Sequence, residues 1–155
     1  MNTEQKMKKI FDDAFKIEVE VLDGGKLPCR AHATDAGFDL YTSEDVTIKH
    51  GEVTKHSLNI RLALPKGTYA EIASKSGLGC KGVLVYAGII DEAYRGIPHI
   101  ICTMLIPGEV TIKKGAKIAQ LIMHPYTPSY YMEQVDKVNT DTDRGTGGLG
   151  STGEF

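Results

Sequence analysis

Cysteine is scarce in this 155-residue chain, and its placement excludes two kinds of site. Cys29, Cys80 and Cys102 are odd in number and widely spaced, and none belongs to a C-x-x-C pair. Histidine and acidic residues also show no cluster at metal-ligand spacing. This pattern is typical of reduced intracellular thiols and argues against a disulfide framework or a zinc site.

Long apolar runs and basic runs are also absent. Every apolar stretch is about strand length, far short of the roughly 20 residues that a membrane helix needs. The formal net charge is −2 and the pI is about 6.2, which argues against a general nucleic-acid binder. The N-terminus has neither the apolar core of a secretory signal nor the arginines of a transit peptide. We therefore expect a soluble, non-secreted protein of the cytoplasm, or of the nucleus in a eukaryote.

The composition divides the chain into three parts. Residues 1–15 place apolar side chains at helical spacing and predict a short N-terminal helical extension. Residues 16–138 are long enough for one domain with its own core. Residues 139–155 are mainly Asp, Thr, Gly and Ser, so they bury too little to order themselves and predict a mobile C-terminal arm.

Alternation of apolar and polar residues predicts a series of short strands after residue 15. Residues 54–64 are predicted as one long strand with leucine and isoleucine on one face. The predicted strands are 16–21, 46–48, 54–64, 68–73, 84–90, 99–106, 110–112 and 118–124. Because no amphipathic helix follows residue 15, the pattern indicates an all-β sandwich or barrel.

Two similar segments, TIKHG at 47–51 and TIKKG at 111–115, each join two predicted strands. They are too far apart in the chain for a solenoid repeat. We interpret them as two similar hairpins of a Greek-key or jelly-roll body.

The stretch GIIDEAYRG at 88–96 carries the first candidate catalytic group. An apolar strand ends at Asp91, where a carboxylate can be held partly desolvated and aimed, as a general base requires. The alternative is a hairpin loop that carries acids and arginine because loops are solvated. The nonamer alone does not decide between these two interpretations.

Further chemical groups occur in three other segments. Asp39 lies between apolar residues and, because a buried carboxylate is costly, should face a cation, a water or a donor. The turn at 74–79, SKSGLG, offers backbone N–H groups, hydroxyls and Lys75 to an oligophosphate. Gln120 is the one polar residue in an apolar run, and a core glutamine bonded to backbone explains it equally well.

The glycine-rich tail is the last candidate. RGTGGLGSTG at 144–153 is not a Walker A loop, because no Gly-Lys-Ser/Thr follows a strand and no helix comes after it. Its backbone, two hydroxyls and Arg144 can still wrap phosphates. An ordinary flexible linker has the same composition.

Taken together, five segments resemble the motifs of the trimeric dUTPase family (deoxyuridine triphosphate pyrophosphatase) in order and spacing. They are AGFDL at 36–40, SKSGLG at 74–79, GIIDEAYRG at 88–96, KIAQL at 117–121 and RGTGGLGSTG at 144–153. The resemblance implies a distorted jelly-roll fold and a homotrimer with active sites between subunits. It also implies Mg²⁺-assisted hydrolysis of dUTP to dUMP and pyrophosphate, which limits uracil entry into DNA and supplies dUMP for dTMP synthesis.

The resemblance also implies roles for individual residues. Asp91 would activate a water for in-line attack on the α-phosphate, and Asp39 would contact the hydrated Mg²⁺ through water. Tyr94 would pack under deoxyribose, while main chain between Gly88 and His99 would bind uracil. The implied substrate-binding residues are Lys75, Ser76, Gly77, Gly88, Ile89, Ile90, Tyr94, His99, Gln120, Arg144, Gly148, Leu149, Gly150, Ser151 and Thr152.

Three positions depart from the family pattern. Lys75 and Lys117 replace arginines, which exchanges a bidentate fork for a point charge. Leu149 replaces a phenylalanine that stacks on the base, a contact worth roughly 1–3 kcal/mol for aromatic residues. These changes predict weaker substrate binding and leave open a non-catalytic nucleotide-dependent regulatory protein. A related dCTP deaminase, which shares the fold, is the second alternative, although the intact segment at 91–94 and the long glycine-rich arm favour the pyrophosphatase.

Overall fold

A computed structural model describes residues 3–147, apart from the side chains of residues 10 and 12. Over this range the chain forms strands almost throughout, with a helix at the N-terminus and one short helical turn. The helices are α1 (Thr3–Ala14) and α2 (Ser76–Gly79); the strands are β1 (Glu18–Val21), β2 (Gly37–Tyr41), β3 (Val46–Lys49), β4 (Thr54–Ser57), β5 (Ile60–Ala63), β6 (Thr68–Ala73), β7 (Val83–Ala87), β8 (Ile89–Ile90), β9 (His99–Met104), β10 (Glu109–Ile112) and β11 (Lys117–Pro125). None of the helices in residues 3–147 has the length and apolar character needed to span a membrane.

The strands pair antiparallel in two larger sheets and two ribbons. The four-stranded sheet has the order β2-β11-β6-β8, and the three-stranded sheet has the order β4-β9-β7. The ribbons are β1-β5 and β10-β3. This architecture is a distorted jelly-roll sandwich, so the predicted all-β fold is confirmed.

One apolar core joins all of these sheets. Ile48, Ile60, Ile100 and Ile118 come from four different sheets or ribbons, and each side chain is at most 1% exposed. Alternate residues of each strand point to this core, which is why period-2 alternation located the strands. By contrast, the described side chains of α1 are exposed, as are those of residues 125–147.

The long strand predicted for residues 54–64 is wrong, because the chain turns at Asn59. Asn59 has a φ of +49°, a left-handed conformation that interrupts a strand. β4 before it pairs with β9, and β5 after it pairs with β1. Leu58 and Leu62 are nevertheless both buried, since the two strands face the same core.

The single strand predicted for residues 84–90 is also divided. Gly88 has a φ of +144°, and a Cβ at this position would lie 2.8 Å from the Cβ of Ile72. The turn therefore requires glycine. It separates β7, which pairs with β9, from β8, which pairs with β6.

The two similar segments at 47–51 and 111–115 pair with each other, so the prediction of two separate hairpins is wrong. β3 and β10 are antiparallel partners, with Thr47 opposite Thr111. Their hydroxyl oxygens lie 2.8 Å apart, within hydrogen-bond distance. The sequence similarity thus reflects a pseudo-symmetric pair of strands.

His56 on β4 is a buried histidine held in its neutral form. The residue is only 3% exposed. Its Nε2 accepts a hydrogen bond from the Ser43 backbone N–H at 3.1 Å. Burial lowers the pKa of His56 below its ordinary value of 6.5, while Glu44 opposes this shift and His99 adds to it. The folded state therefore binds fewer protons at His56 than the unfolded state as the pH falls below about 6.5.

We expect the free energy of unfolding to decrease as the pH is lowered from 7.5 to 5, with His56 contributing part of the slope. His56→Gln retains an acceptor for the Ser43 N–H but cannot be protonated, so it should flatten the slope. Urea unfolding at several pH values measures this effect. His32→Gln, at an exposed histidine, is the control; an equal change in slope for both variants would contradict the assignment to His56.

Candidate active site

Asp39 on β2 lies at the centre of a polar cluster. Its carboxylate is nearly buried, at 5% exposure of the residue, and receives two ammonium groups. Lys75 Nζ lies 2.5 Å from Oδ1, and Lys117 Nζ lies 2.6 Å from Oδ2. The prediction that Asp39 faces a cation, a water or a donor is confirmed, because two lysine ammonium groups contact it.

These contacts decide the ionisation of the cluster. Burial by itself would raise the pKa of Asp39, but the hydrogen bonds from Lys117 and Lys75 outweigh it and hold the pKa below its usual value. The same contact with Asp39 raises the pKa of Lys117. The cluster is thus one carboxylate between two charged ammonium groups.

Gln120 on β11 joins this cluster from the neighbouring strand. It is opposite Asp39 on one side and Ala73 on the other. Its side-chain N–H donates to the Ser74 backbone oxygen at 2.9 Å, which ties β11 to the segment that carries Lys75. A Cβ on Gly37 would lie 2.6 Å from the Gln120 Oε1, so glycine makes room for this side chain.

Ser76 and Gly77 follow Lys75 directly and are exposed. Within the turn predicted for residues 74–79, residues 76–79 form the single helical turn α2. We call the set Asp39, Lys75, Ser76, Lys117 and Gln120 the lysine cluster. Its ammonium, hydroxyl and amide groups are suited to phosphate oxygens.

Asp91 lies at another place in the fold. It directly follows β8, whose residues Ile89 and Ile90 pair with β6. Ile90 is buried and anchors this end of the strand, whereas Asp91 is exposed. The predicted position of Asp91 at the end of a strand is therefore confirmed. The expected partial desolvation is wrong for the single chain, because Asp91 is exposed there.

Asp91 borders a cavity of about 530 Å³. The other residues that line it are Tyr69, Ile89, Glu92, Ala93 and Tyr126. The Tyr69 ring stacks on His124, with centroids 4.9 Å apart. The cavity therefore combines apolar and aromatic walls with two acidic side chains.

Glu92, which the sequence did not single out, is tied to two other segments. Its Oε2 accepts hydrogen bonds from the Gly67 backbone N–H at 2.7 Å and from the Tyr126 hydroxyl at 2.8 Å. The Gly67 N–H, followed by Tyr126, lowers the pKa of Glu92. The Glu92 hydrogen bond in turn raises the pKa of Tyr126.

Tyr94 and His99 are not among the residues that line this cavity. The Tyr94 backbone N–H donates to the Asp91 backbone oxygen at 3.0 Å. The Tyr94 hydroxyl donates to the Ile97 backbone oxygen at 3.2 Å. Its ring thus folds back over Gly96, where an added Cβ would lie 2.4 Å from the hydroxyl oxygen. His99 begins β9 and is opposite Ser57.

One chain does not bring Asp91 and the lysine cluster together. Asp39 lies on one edge strand of the four-stranded sheet, level with Gln120 and Ala73, whereas Asp91 continues the opposite edge strand, level with Tyr69. Three strand spacings of about 4.8 Å and four residues of about 3.3 Å separate the Cα atoms of Asp39 and Asp91 by roughly 20 Å. A single water cannot bridge this distance.

Of the arm residues predicted to bind substrate, only Arg144 lies within the described range. It is exposed, and its Nε donates to the Gly147 oxygen at 3.0 Å. Gly148, Leu149, Gly150, Ser151 and Thr152 lie outside the described residues. No group of three or more His, Cys, Asp or Glu side chains within residues 3–147 is arranged to hold a metal ion.

Comparison with known proteins identifies similar sequences. A family model described as dUTPase matches residues 23–153. The deoxyuridine 5'-triphosphate nucleotidohydrolase of Clostridium novyi is 42% identical over 130 residues, which cover 82% of this chain and 90% of that protein. The human mitochondrial protein of the same name is 39% identical over 130 residues, and the chain spans 50% of its length.

Solved structures agree with these sequence matches. A mutant dUTPase of Staphylococcus bacteriophage 80alpha with dUpNHpp is 25% identical, with a TM-score of 0.79 over 90% of this chain and 99% of that one. A mutant dUTPase from phage phi11 of S. aureus, described with a structural Mg(II) ion, is 25% identical, with a TM-score of 0.71 over 79% of this chain and 97% of that one.

Proposed function

This chain belongs to the dUTPase family, and from that premise we propose that it hydrolyses dUTP to dUMP and pyrophosphate. The observation that carries the proposal is Asp91, an exposed carboxylate at a strand end beside a cavity of about 530 Å³. In the cell this reaction would limit uracil entry into DNA and supply dUMP for dTMP synthesis.

Asp91 acts as the general base in this mechanism. Its carboxylate takes a proton from a water, and the water oxygen attacks the α-phosphorus in line. The bond from the α-phosphorus to the bridging oxygen breaks, and pyrophosphate leaves with that oxygen. A positioned base of this kind contributes about 10²- to 10⁴-fold to the rate.

The lysine cluster binds the triphosphate. Lys75, Ser76 and Gln120 contact phosphate oxygens, with Gly77 in the same segment. In the free chain, the ammonium nitrogens of Lys75 and Lys117 lie 2.5 and 2.6 Å from the carboxylate oxygens of Asp39. Arriving phosphates give the two ammonium groups a second anionic partner, so substrate binding rearranges these ion pairs.

Asp39 is the residue that would hold Mg²⁺, through water. A carboxylate is a suitable partner for this hard ion, and Mg²⁺ usually keeps several waters and binds through substrate phosphates. A lone carboxylate that phosphates can release from its lysines is consistent with that outer-shell role. When bound, the ion supplies neutralisation of negative charge on the triphosphate.

The segment from Gly88 to His99 binds the nucleoside. Main-chain groups near Ile89 and Ile90 pair with uracil, and Tyr94 packs under deoxyribose. In the free chain the Tyr94 ring is folded toward Gly96, and the side chain is 44% exposed. Substrate therefore meets an aromatic surface that is already accessible.

The separation of roughly 20 Å between Asp91 and Asp39 supports a shared site. We propose a homotrimer in which Asp91 of one chain meets the lysine cluster of another, closed by the arm residues Arg144, Gly148, Leu149, Gly150, Ser151 and Thr152. Exposed apolar side chains support association between chains. They include Leu84 at 38%, Tyr86 at 47%, Leu105 at 59% and Ile106 at 49% exposure.

Substrate selectivity tests the proposed function directly. With Mg²⁺ present, we expect pyrophosphate release from dUTP and a kcat/KM at least about 10⁴-fold lower for dCTP, because cytosine would leave buried donors and acceptors unpaired. A tight pocket should also reject the methyl group of dTTP. Pyrophosphate release from equal concentrations of dUTP, dCTP, dTTP and UTP measures this.

The same assay separates the alternatives. Ammonia release from dCTP would favour a deaminase. Nucleotide binding in calorimetry without any pyrophosphate would favour a regulatory protein. Comparable turnover of dUTP and dCTP would contradict uracil recognition by the segment from Gly88 to His99.

A further inference from the structure

The side chain next to the proposed base is fixed more firmly than the base itself. One oxygen of Glu92 accepts two hydrogen bonds, from the Gly67 N–H at 2.7 Å and from the Tyr126 hydroxyl at 2.8 Å. Within residues 3–147, no hydrogen bond to the Asp91 carboxylate is found. The two adjacent acids in this cavity are therefore placed for different tasks.

The donors to Glu92 adjoin two strands of the four-stranded sheet. Gly67 lies in the turn before β6, and Tyr126 directly follows β11. These two residues are also joined to each other, because the Tyr126 N–H donates to the Gly67 oxygen at 2.9 Å. Gly67, Glu92 and Tyr126 thus form a closed triangle of hydrogen bonds, which we call the Glu92 triangle.

The triangle limits where Asp91 can lie. On one side Asp91 follows β8, whose Ile90 is buried. On the other side it is bonded covalently to Glu92, which the triangle holds against β6 and β11. The Tyr94 N–H and the Arg95 guanidinium add hydrogen bonds to the Asp91 and Glu92 backbone oxygens, at 3.0 and 2.6 Å.

Glu92 is poorly suited to be the base. Its Oε2 already accepts two hydrogen bonds, and both donors favour the ionised form and weaken its basicity. Asp91 carries no such partners among the described residues. The chemistry and the geometry therefore divide the two acids into a base and a support.

We propose that Glu92 is a positioning residue, which holds Asp91 in the wall of the cavity by fixing its loop to Gly67 and Tyr126. The inference rests on the proposed function and deepens it. Its energetic reason is that a misplacement of about 1 Å can cost roughly 10²-fold in rate even when the catalytic groups are intact. The triangle also connects the loop that carries Asp91 to Tyr126, the residue at which the C-terminal segment leaves β11.

The test compares three single variants in dUTP turnover. Glu92→Ala removes the acceptor for both donors and should lower kcat by about 10- to 100-fold, with KM within about threefold. Glu92→Gln keeps an oxygen that can accept from Gly67 and Tyr126, so it should recover most of the lost kcat. Tyr126→Phe removes one donor and should lower kcat by less than Glu92→Ala.

A double variant shows whether the two side chains act through the same bond. Glu92→Ala with Tyr126→Phe should be no slower than Glu92→Ala alone, because the shared interaction is already absent. Glu109→Ala, at an exposed glutamate on β10, is the matched control and should leave kcat unchanged. Melting temperatures of all variants separate lost positioning from lost folding.

A Glu92→Gln variant as inactive as Glu92→Ala would overturn the positioning role and indicate that Glu92 takes the proton. A wild-type kcat in Glu92→Ala, while Asp91→Asn is inactive, would refute only the positioning role. If Glu92→Ala fails to fold, unchanged kcat in folded Tyr126→Phe would count against the triangle. Full activity of Asp91→Asn would instead refute the proposed function itself.

Discussion

Replacing Asp91 with asparagine should lower kcat for dUTP by about 10²- to 10⁴-fold, the range that a positioned general base contributes. Asparagine has nearly the same shape but cannot accept a proton from water. Because Asp91 is exposed and β8 is anchored by the buried Ile90, the variant should fold normally. Steady-state pyrophosphate release gives kcat, and calorimetry with a non-hydrolysable dUTP analogue gives the affinity, which should stay within about tenfold.

The matched control for this prediction is Asp23→Asn. Asp23 is also an exposed acid, and its backbone oxygen accepts a hydrogen bond from the Asn59 side chain. Its substitution should leave kcat unchanged. Turnover of Asp91→Asn within threefold of the original protein would exclude Asp91 as the base.

Mixing two inactive variants should restore activity, because Asp91 and the lysine cluster of one chain lie roughly 20 Å apart. The first variant is Asp91→Asn. The second is Lys75→Ala with Ser76→Ala, which removes an ammonium and a hydroxyl from the proposed phosphate site and should cost about 10²-fold or more. Each variant alone would make assemblies in which every site is defective.

An equal mixture, unfolded and refolded together, should recover roughly a quarter of the wild-type activity. Each site takes Asp91 from one chain and the lysine cluster from another. Because each of these parts is intact in half of the chains, random assembly makes both intact in a quarter of the sites. A chain carrying all three substitutions, mixed equally with Asp91→Asn, is the control and should stay inactive. Native mass spectrometry verifies that mixed assemblies form; no recovery in verified mixed assemblies would refute the shared site.

The outcome for Asp39 shows how far local sequence can predict a site. A carboxylate in an apolar strand predicted a cation, a water or a donor as its partner, and the structure places the cations Lys75 and Lys117 against it. The choice of these two lysines was not predictable from spacing. They come from segments 36 and 78 residues away, which meet only because β2, β11 and β6 are neighbours in one sheet.

The hydrogen-bond partners of Glu92 could not be predicted from the sequence. Its position beside Asp91 is visible in the chain, but its role depends on Gly67 and Tyr126, which β6 and β11 bring within hydrogen-bond distance. An exposed loop acid and an anchored one have the same local sequence. Only the partners distinguish them, and partners belong to the tertiary structure.

The sequence alone determined the strand content, the burial of its apolar faces and the position of Asp91 at a strand end, because side-chain periodicity and strand termini are local properties. The tertiary structure decided where strands break, at Asn59 and at Gly88. Asn59 adopts a left-handed conformation and Gly88 packs closely against Ile72, and both depend on other segments of the chain that pack there. The tertiary structure also decided that Asp91 and Asp39 of the lysine cluster lie at opposite edges of one sheet. That separation follows from strand order, which long-range packing selects and no local pattern encodes.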